Sequence, residues 1–278
     1  MDLSIIIAHF DPGNNKIASE AFLKTLSKIE SQIKANKVEV IIADDGSYNN
    51  NAIESIGEPI YDSDGRTAYK LSGKNLEVWK KKEGFNFSSI STWIYLPKIK
   101  PMMSKARVGN FAIKESKASK LFFLDDDNYF ILENSINQIL QLMKNYSLIF
   151  GQIKDSNGRI RAYSSNRVQG TTFAIEKKHL INAGLFGVWT EQVSCGIDSD
   201  LWWKLFNYFS NKPKLQAAYS SNIQTLDSCS KRWKTHIKSP FRKYLLRKLF
   251  NKKYNCKNYQ NVKYNPSRKK TNWIEDLT

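Results

Sequence analysis

The chain has 278 residues, 41% hydrophobic and 13% aromatic, so most of it should be globular, as one large domain or one domain with an appendage. Its net charge is +17, yet residues 231–270 hold 15 Lys and Arg and no Asp or Glu, so 17 less 15 leaves only +2 for the rest. Cys195, Cys229 and Cys256 are odd in number and form no C-x-x-C pair, which argues against a disulfide framework and a zinc site, and no apolar run approaches the length of a bilayer span.

The opening MDLSIIIAHF turns polar after a handful of apolar positions and reads as a first buried strand, not a secretory signal, so a cytoplasmic, reducing location is expected. Residues 17–33 follow with helical spacing at Ile17, Phe22, Leu26, Ile29 and Ile33, and KVEVIIADDGS (37–47) is a second buried strand ending in carboxylates. Strand, helix and strand in this order form a βαβ unit with parallel strands and a right-handed crossover. Residues 48–72, rich in Asn, Ser, Gly and Asp, read as a long loop, and NLEVWK (75–80) as a third, weaker strand. Residues 102–116 are helical and feed KLFFL, a fourth strand, before an amphipathic helix over 132–145. Beyond it, SLIFGQI, GRIRAYS and VQGTTFAI are successive strand-like runs, followed by helices near 177–183 and 198–209. The pattern is α/β in the first half and mixed in the second.

In open parallel sheets, ligands bind beyond the carboxyl ends of the strands. Three strand ends carry chemistry here: AHFD after the first, DDGS after the second and DDDN after the fourth. If Asp125 and Asp127 alternate along a strand they share one face while Asp126 points away. Two such carboxylates suit a hard divalent ion, Mn²⁺ or Mg²⁺, that keeps positions open for phosphate; a solvated acidic turn has the same composition. At the second strand end, Asp44 or Asp45 can accept hydrogen bonds from a base or ribose, and Gly46 permits a tight turn. His9 suits either a hydrogen-bonded strand end or a nucleotide contact.

The order SIIIAHF, VEVIIADDGS, ARVGNFAIKESKASKLFFLDDDN and CGIDSDLWWKL resembles the nucleotide-sugar glycosyltransferases of family 2 over roughly residues 1–210. The resemblance implies a GT-A fold, a mixed and mainly parallel sheet flanked by helices, with residues 1–225 catalytic: a nucleotide-sugar half over 1–130 and an acceptor half over 131–225. Residues 226–278 would form a basic, partly helical extension. It further implies an inverting transferase that binds a nucleoside diphosphate sugar, most often a UDP sugar, through an Asp-x-Asp motif and one divalent cation. Phe10 matches an aromatic position beside the base, Asp45 the acidic residue at the base or ribose, and Arg107 a residue that reaches the diphosphate. Asn110 stands two residues out of the family's Ala-Arg-Asn register. Asp127 falls at the metal-ligand position and Asp125 at the ribose, both within reach of the ion.

Displacing a nucleoside diphosphate with a hydroxyl requires stabilised charge on the leaving group and a base for the proton. The family carries that base in a Glu-Asp-x-Asp-Leu segment opening a helix. Here the segment reads Ile197, Asp198, Ser199, Asp200, Leu201, which assigns Asp198 as general base and leaves Asp200 to structure or the helix dipole. Simple helix capping is the competing account of both. AGLFGVW (183–189) resembles the loop before the base, with Trp189 placed to stack on an acceptor sugar or to pack internally; QGTT (169–172) would line the donor pocket.

The stretch SPFRKYLLRKLFNKKY (239–254) sets Phe241, Tyr244, Leu245, Leu249 and Phe250 among cations, the pattern of a helix lying on an anionic membrane, where it would bring the enzyme to a glycan or lipid-linked acceptor in surface polysaccharide synthesis. Two other functions fit parts of the chain. A nucleotidyltransferase would use the same acidic strand ends without a base at Asp198. A nucleic-acid-binding protein would use the tail cations and aromatics, although no recognised nucleic-acid motif accompanies them and none is expected to bind. His236 is a candidate late metal ligand or a surface histidine.

Overall fold

The computed structural model describes residues 1–13, 15–33, 36–99, 102–161, 169–210, 212, 214–228, 240–255 and 273–278. Its centre is one mixed sheet. Strand β1 (Leu3–His9) is followed by helix α1 (Lys16–Glu30) and β2 (Val38–Asp44), and β1 pairs parallel with β2 from Leu3↔Val38 to His9↔Asp44, the expected βαβ unit. After the short α2 (Ile53–Ile56), β3 (Glu58–Tyr61) and β4 (Thr67–Ser72) form an antiparallel hairpin that leads into α3 (Gly73–Glu83) and β5 (Ile90–Tyr95). Then come α4 (Lys105–Glu115), β6 (Lys120–Asp125), β7 (Asn128–Phe130), α5 (Ser135–Leu142) and β8 (Leu148–Asp155). The chain closes with β9 (Phe173–Glu176), α6 (Lys177–Ala183), α7 (Ile197–Ser210), β10 (Ala217–Asp227), α8 (Pro240–Tyr254) and β11 (Glu275–Asp276). Across the sheet the order is β11-β10-β8-β9-β6-β1-β2-β5-β4-β3, with β7 pairing off this path to β10.

The parallel centre, β6-β1-β2-β5, is buried on both faces, which is why its strands read as nearly continuous apolar runs. Leu3, Ile5, Ile7, Val40, Ile42, Phe122 and Leu124 pack with Phe22, Leu26 and Ile29 of α1; Ile6, Ile41, Leu121 and Phe123 face the other way, onto Val108, Phe111 and Ala112 of α4. Successive strand side chains alternate between these layers. The C-terminal segment joins the second layer: Phe250 of α8 and Ile274 are both buried in it, and β11 pairs parallel with β10.

Two expectations are corrected. NLEVWK is not a strand but the body of α3: Leu76, Trp79 and Lys80 are buried at spacings of three and four, Gly84 closes the helix at φ 75°, and Lys80, Lys81 and Lys82 stand at its negative end. Residues 48–72 are not one long loop; they contain α2 and the β3–β4 hairpin, whose polar composition belongs to an edge, with Pro59 on the outermost strand. β5, the short β7 and β11, and the eleven-residue β10 also form strands where none was expected. Of GRIRAYS, Ile160 makes an isolated bridge to Lys154, and residues 162–168 lie outside the described residues.

Candidate active site

The carboxyl ends of β1, β2 and β6 meet at one edge of the sheet, so residues from positions 9, 45 and 125 become neighbours. At the end of β2 the two carboxylates have different roles. Asp44 is fully buried and accepts from the Ser47 N–H at 2.8 Å, Asn50 Nδ2 at 2.7 Å and Trp93 Nε1 at 3.0 Å, which commits it to shaping the turn. Asp45 is also buried, but only Oδ2 is engaged, by Lys98 Nζ at 2.8 Å and the Ser104 N–H at 2.9 Å; Oδ1 has no hydrogen-bond partner. Burial pushes its carboxyl up to about 6 although Lys98 pulls the other way. A buried acceptor left open in this way is the form expected of a group that awaits a ligand donor. Gly46 makes the turn possible: at φ +73° an added Cβ would stand 2.6 Å from Lys98 Cγ and 2.9 Å from the Leu96 carbonyl oxygen.

Phe10 lies beside Asp45. Lys98 Nζ sits 4.7 Å from the centre of its ring, and Tyr48 meets it edge-on at 6.3 Å. Phe10, Tyr48, Lys98 and Asp45 thus form an aromatic and polar corner of the kind that holds a planar base. His9 faces inward, stacked on Phe22 at 4.1 Å with Nδ1 2.8 Å from Asp126 Oδ2, a packed strand end.

The acidic triplet does not follow strand alternation, because β6 stops at Asp125 and the next two residues belong to the turn into β7. Asp125 faces the edge; its N–H donates to Thr171 Oγ1 at 2.9 Å and its carboxylate takes the ammonium of Lys105. Asp126 turns to β1, where Oδ2 also accepts the Phe10 N–H at 3.1 Å. Asp127 is buried, and its carbonyl oxygen accepts from the Ser228 N–H and hydroxyl at 3.0 and 2.9 Å.

Asp198 arrives from the first turn of α7, and two features place it beside Asp125. The QGTT segment runs between them: Thr171 holds the Asp125 N–H, and a Cβ on Gly170 would lie 2.4 Å from Asp198 Oδ1. The next residue, Thr172, is buried with φ 57°, a conformation that non-glycine residues rarely adopt and that marks a constrained segment. Lys105 is the second link. Burial works to lower the pKa of its ammonium, but the attraction of Asp125, Asp198 and Asp127 and the hydrogen bond to Asp125 outweigh that and raise it. Its stem lines a small cleft with Ala8, Gly109, Phe186 and Ile197.

Arg107 and Trp189 are placed differently. The Arg107 guanidinium is bound by Asp62, by Asp64 at 3.1 Å and by Glu191 at 3.0 Å. Burial opposes that charge, while the hydrogen bonds of Glu191 and Asp62 favour it and raise the pKa. Arg107 therefore ties the hairpin turn to the 3-10 segment Val188–Val193. Asn110 clamps the loop before that segment, donating to the Phe186 carbonyl at 2.9 Å and accepting its N–H at 3.0 Å. Trp189 donates from Nε1 to Asp200 Oδ1 at 2.6 Å and meets Phe250 of α8 edge-on at 6.2 Å. Asp200, wholly buried, also takes the Tyr254 hydroxyl and pairs with Lys204 at 2.8 Å, so it braces α7 and α8. His236 lies outside the described residues.

The structure brings Phe10 and Asp45 to one corner and Asp125, Asp127 and Asp198 to another, and holds Arg107 and Trp189 in packing networks. Sequence reasoning missed Lys98 and Lys105, while Thr171 falls in the QGTT segment it had placed at the donor pocket. Lys105 did leave a signal: a cation in the first turn of a helix opposes the dipole and calls for nearby carboxylates. Carboxylates closing a strand are the hard-oxygen donor set of Mn²⁺ or Mg²⁺, and the ammonium against Asp125 shows that this edge takes positive charge. Among the described residues no three His, Cys, Asp or Glu side chains form a ready metal cluster.

No protein-family model and no curated protein matches the sequence. Solved structures match in fold. S. aureus TarS 1–349 aligns with 98% of this chain and 74% of its own at 13% identity and TM-score 0.53. The same fragment in complex with UDP aligns over 92% and 72% at 12% identity and TM-score 0.51. The mannosyltransferase PcManGT from Pyrobaculum calidifontis, in complex with GDP-Man and Mn²⁺, aligns over 83% and 58% at 11% identity and TM-score 0.51. The chain spans only 35% of the length of a longer TarS structure. At these identities the likeness speaks for architecture, and that architecture, a largely parallel sheet flanked by helices, is the GT-A fold of glycosyltransferases.

Proposed function

We propose that the chain transfers a sugar from a nucleoside diphosphate sugar, UDP being the expected nucleotide, to a hydroxyl of a glycan or lipid-linked acceptor, with inversion at the anomeric carbon. The observation that carries this reading is the meeting of Asp45, Asp125 and Asp198 at one sheet edge of a GT-A fold, from segments up to about 150 residues apart. The nucleotides in the TarS and PcManGT complexes, UDP and GDP-Man, support the donor class.

In this reading Phe10 packs on the base, and Asp45 Oδ1 accepts a hydrogen bond from base or ribose. Asp125 reaches the ribose and, with Asp127, would hold a Mn²⁺ or Mg²⁺ ion, which supplies Lewis-acid stabilisation of the leaving diphosphate. Asp198 takes the proton from the acceptor hydroxyl as its oxygen bonds to the anomeric carbon. The bond from that carbon to the diphosphate oxygen breaks, and its electron pair leaves with the nucleoside diphosphate. Gly170 allows the Asp198 carboxylate to stand at the edge, and Trp189 flanks the acceptor side through its bond to Asp200.

The C-terminal segment fits a peripheral position on the cytoplasmic face of a membrane. α8 buries Phe250 against Trp203 and Tyr254 but exposes Phe241 and Tyr244 beside Arg247 and Lys248, the surface of a helix that meets anionic headgroups. No helix of the described residues is long and apolar enough to cross a bilayer.

A turnover screen tests the central reading: UDP, GDP, CDP and dTDP sugars are incubated with the protein, with and without Mn²⁺, and release of nucleoside diphosphate is followed. One donor class should turn over. Asp198→Asn should lower transfer by about 100- to 10,000-fold, the range of a lost general base, while nucleotide affinity stays near that of the wild type. Full transfer by that variant would remove Asp198 from the mechanism, and no release from any donor would end the enzymatic reading.

A further inference from the structure

We propose that Lys105 is the protein's own counter-cation for the donor diphosphate, resting on Asp125 until a nucleotide enters and then sharing its ammonium between that carboxylate and the phosphate oxygens. This inference rests on the sugar-transfer reading above and names a residue that no sequence motif assigned.

Position is the first argument. Lys105 opens α4, and the residue before it, Ser104, donates its N–H to Asp45 Oδ2 at 2.9 Å. Its ammonium lies on Asp125 and in the field of Asp198 and Asp127. It therefore stands between the corner suited to the nucleoside and the carboxylate suited to the acceptor hydroxyl, where a diphosphate joining the two must pass. With its side chain about three-quarters buried, it is partly shielded from the water that weakens surface ion pairs.

The neighbouring cations are already taken. Arg107, two residues further along α4, is held by Asp62, Asp64 and Glu191, and Lys98 is held by Asp45 and the Met102 carbonyl. A phosphate bound to Arg107 would have to displace three carboxylates. Lys105 need not give up its partner, because an ammonium carries three rotatable donors and Asp125 occupies one direction.

Charge is the remaining argument. Asp125, Asp127 and Asp198 would repel a diphosphate. Lys105 removes one of their three charges, and the deficit that remains equals the charge of one divalent ion. The lysine and an ion at Asp125 and Asp127 are therefore complementary. Removing the lysine should weaken diphosphate binding even when Mn²⁺ is saturating.

The test is titration calorimetry of UDP, GDP, UMP and GMP in Mn²⁺ with the wild type, Lys105→Met and Lys105→Gln. Gln keeps a hydrogen bond to Asp125 without the charge, which separates a structural role from an electrostatic one, and thermal melts establish that each variant is folded. Both variants should lose about 10- to 100-fold in affinity for the diphosphate that the wild type binds, the weight of one charge-assisted hydrogen bond, and less than about 3-fold for its monophosphate. Wild-type diphosphate affinity in a folded Gln variant, or equal losses for mono- and diphosphate, would overturn the role of Lys105 while leaving the transferase reading intact. A wild-type protein that binds none of the four nucleotides and releases no nucleoside diphosphate from CDP or dTDP sugars would overturn both.

Discussion

Replacing Asp45 with Asn changes one charge with almost no change of shape, and the structure gives its size. Burial carries this carboxyl from 3.8 to about 6. The folded protein thus holds the proton up to about pH 6, whereas the unfolded chain releases it near 3.8. Through that window the native state binds more protons, so stability falls as pH rises from about 4 to about 6, and the loss persists above. At about 1.4 kcal/mol for each tenfold change in proton affinity, Asp45 lowers stability at pH 7 by about 3 kcal/mol relative to pH 3. Asn can still accept the Ser104 N–H, and Lys98 retains the Met102 carbonyl. Urea denaturation of wild type and Asp45→Asn between pH 4.5 and 7.5 should therefore give curves that diverge, with the wild type losing about 2 kcal/mol more than the variant across that range. The variant should also bind its nucleoside diphosphate about 10-fold more weakly, since Oδ1 no longer offers an anionic acceptor. Parallel pH profiles, or unchanged nucleotide affinity, would refute the account of a carboxylate kept strained for a ligand.

Two further substitutions separate the remaining elements. Gly170→Ala places a methyl group 2.4 Å from Asp198 Oδ1, so the carboxylate must move; transfer should drop about 100-fold with nucleotide affinity within a few-fold of wild type, measured as kcat against Kd. Unaltered kcat would show that the Asp198 position beside Gly170 is not the working one. At the other end of the chain, Phe241→Ser with Tyr244→Ser should reduce sedimentation with phosphatidylglycerol vesicles several-fold at low salt and leave soluble-donor turnover unchanged. Equal sedimentation of variant and wild type would remove α8 as the membrane-facing element.

Much of the candidate site was legible in sequence because its chemistry follows apolar runs. SIIIA, VEVIIA and KLFFL must be buried strands, so the carboxylates after them had to surface at strand ends, and the opening βαβ unit set two of those ends side by side. α4 and α7 were equally plain from their periodicity. Other features depended on contacts between distant residues. NLEVWK has an alternation ambiguous over six positions, and only the packing of Trp79 on Trp93 and Phe85 makes it a helix. The polar β3–β4 hairpin is a pair of strands because β5 offers an edge to it.

The same division holds within the site. Residue type marked Asp44 or Asp45, Asp125 and Asp127 as groups that could bind, since a carboxylate at a strand end carries that capacity in any fold, and the family resemblance singled out Asp45 and the base position of Asp198. Tertiary structure decided which of them have an open oxygen. Asp44 and Asp45 are adjacent and chemically identical, yet three donors from Ser47, Asn50 and Trp93 close the first and leave the second with a bare atom. It also decided which cation serves the edge, turning Arg107 to carboxylates near residues 62 and 191 and Lys105 to Asp125. Charge and periodicity are local properties of a chain, whereas the partner of a charge depends on which distant segment the fold brings within a few ångströms.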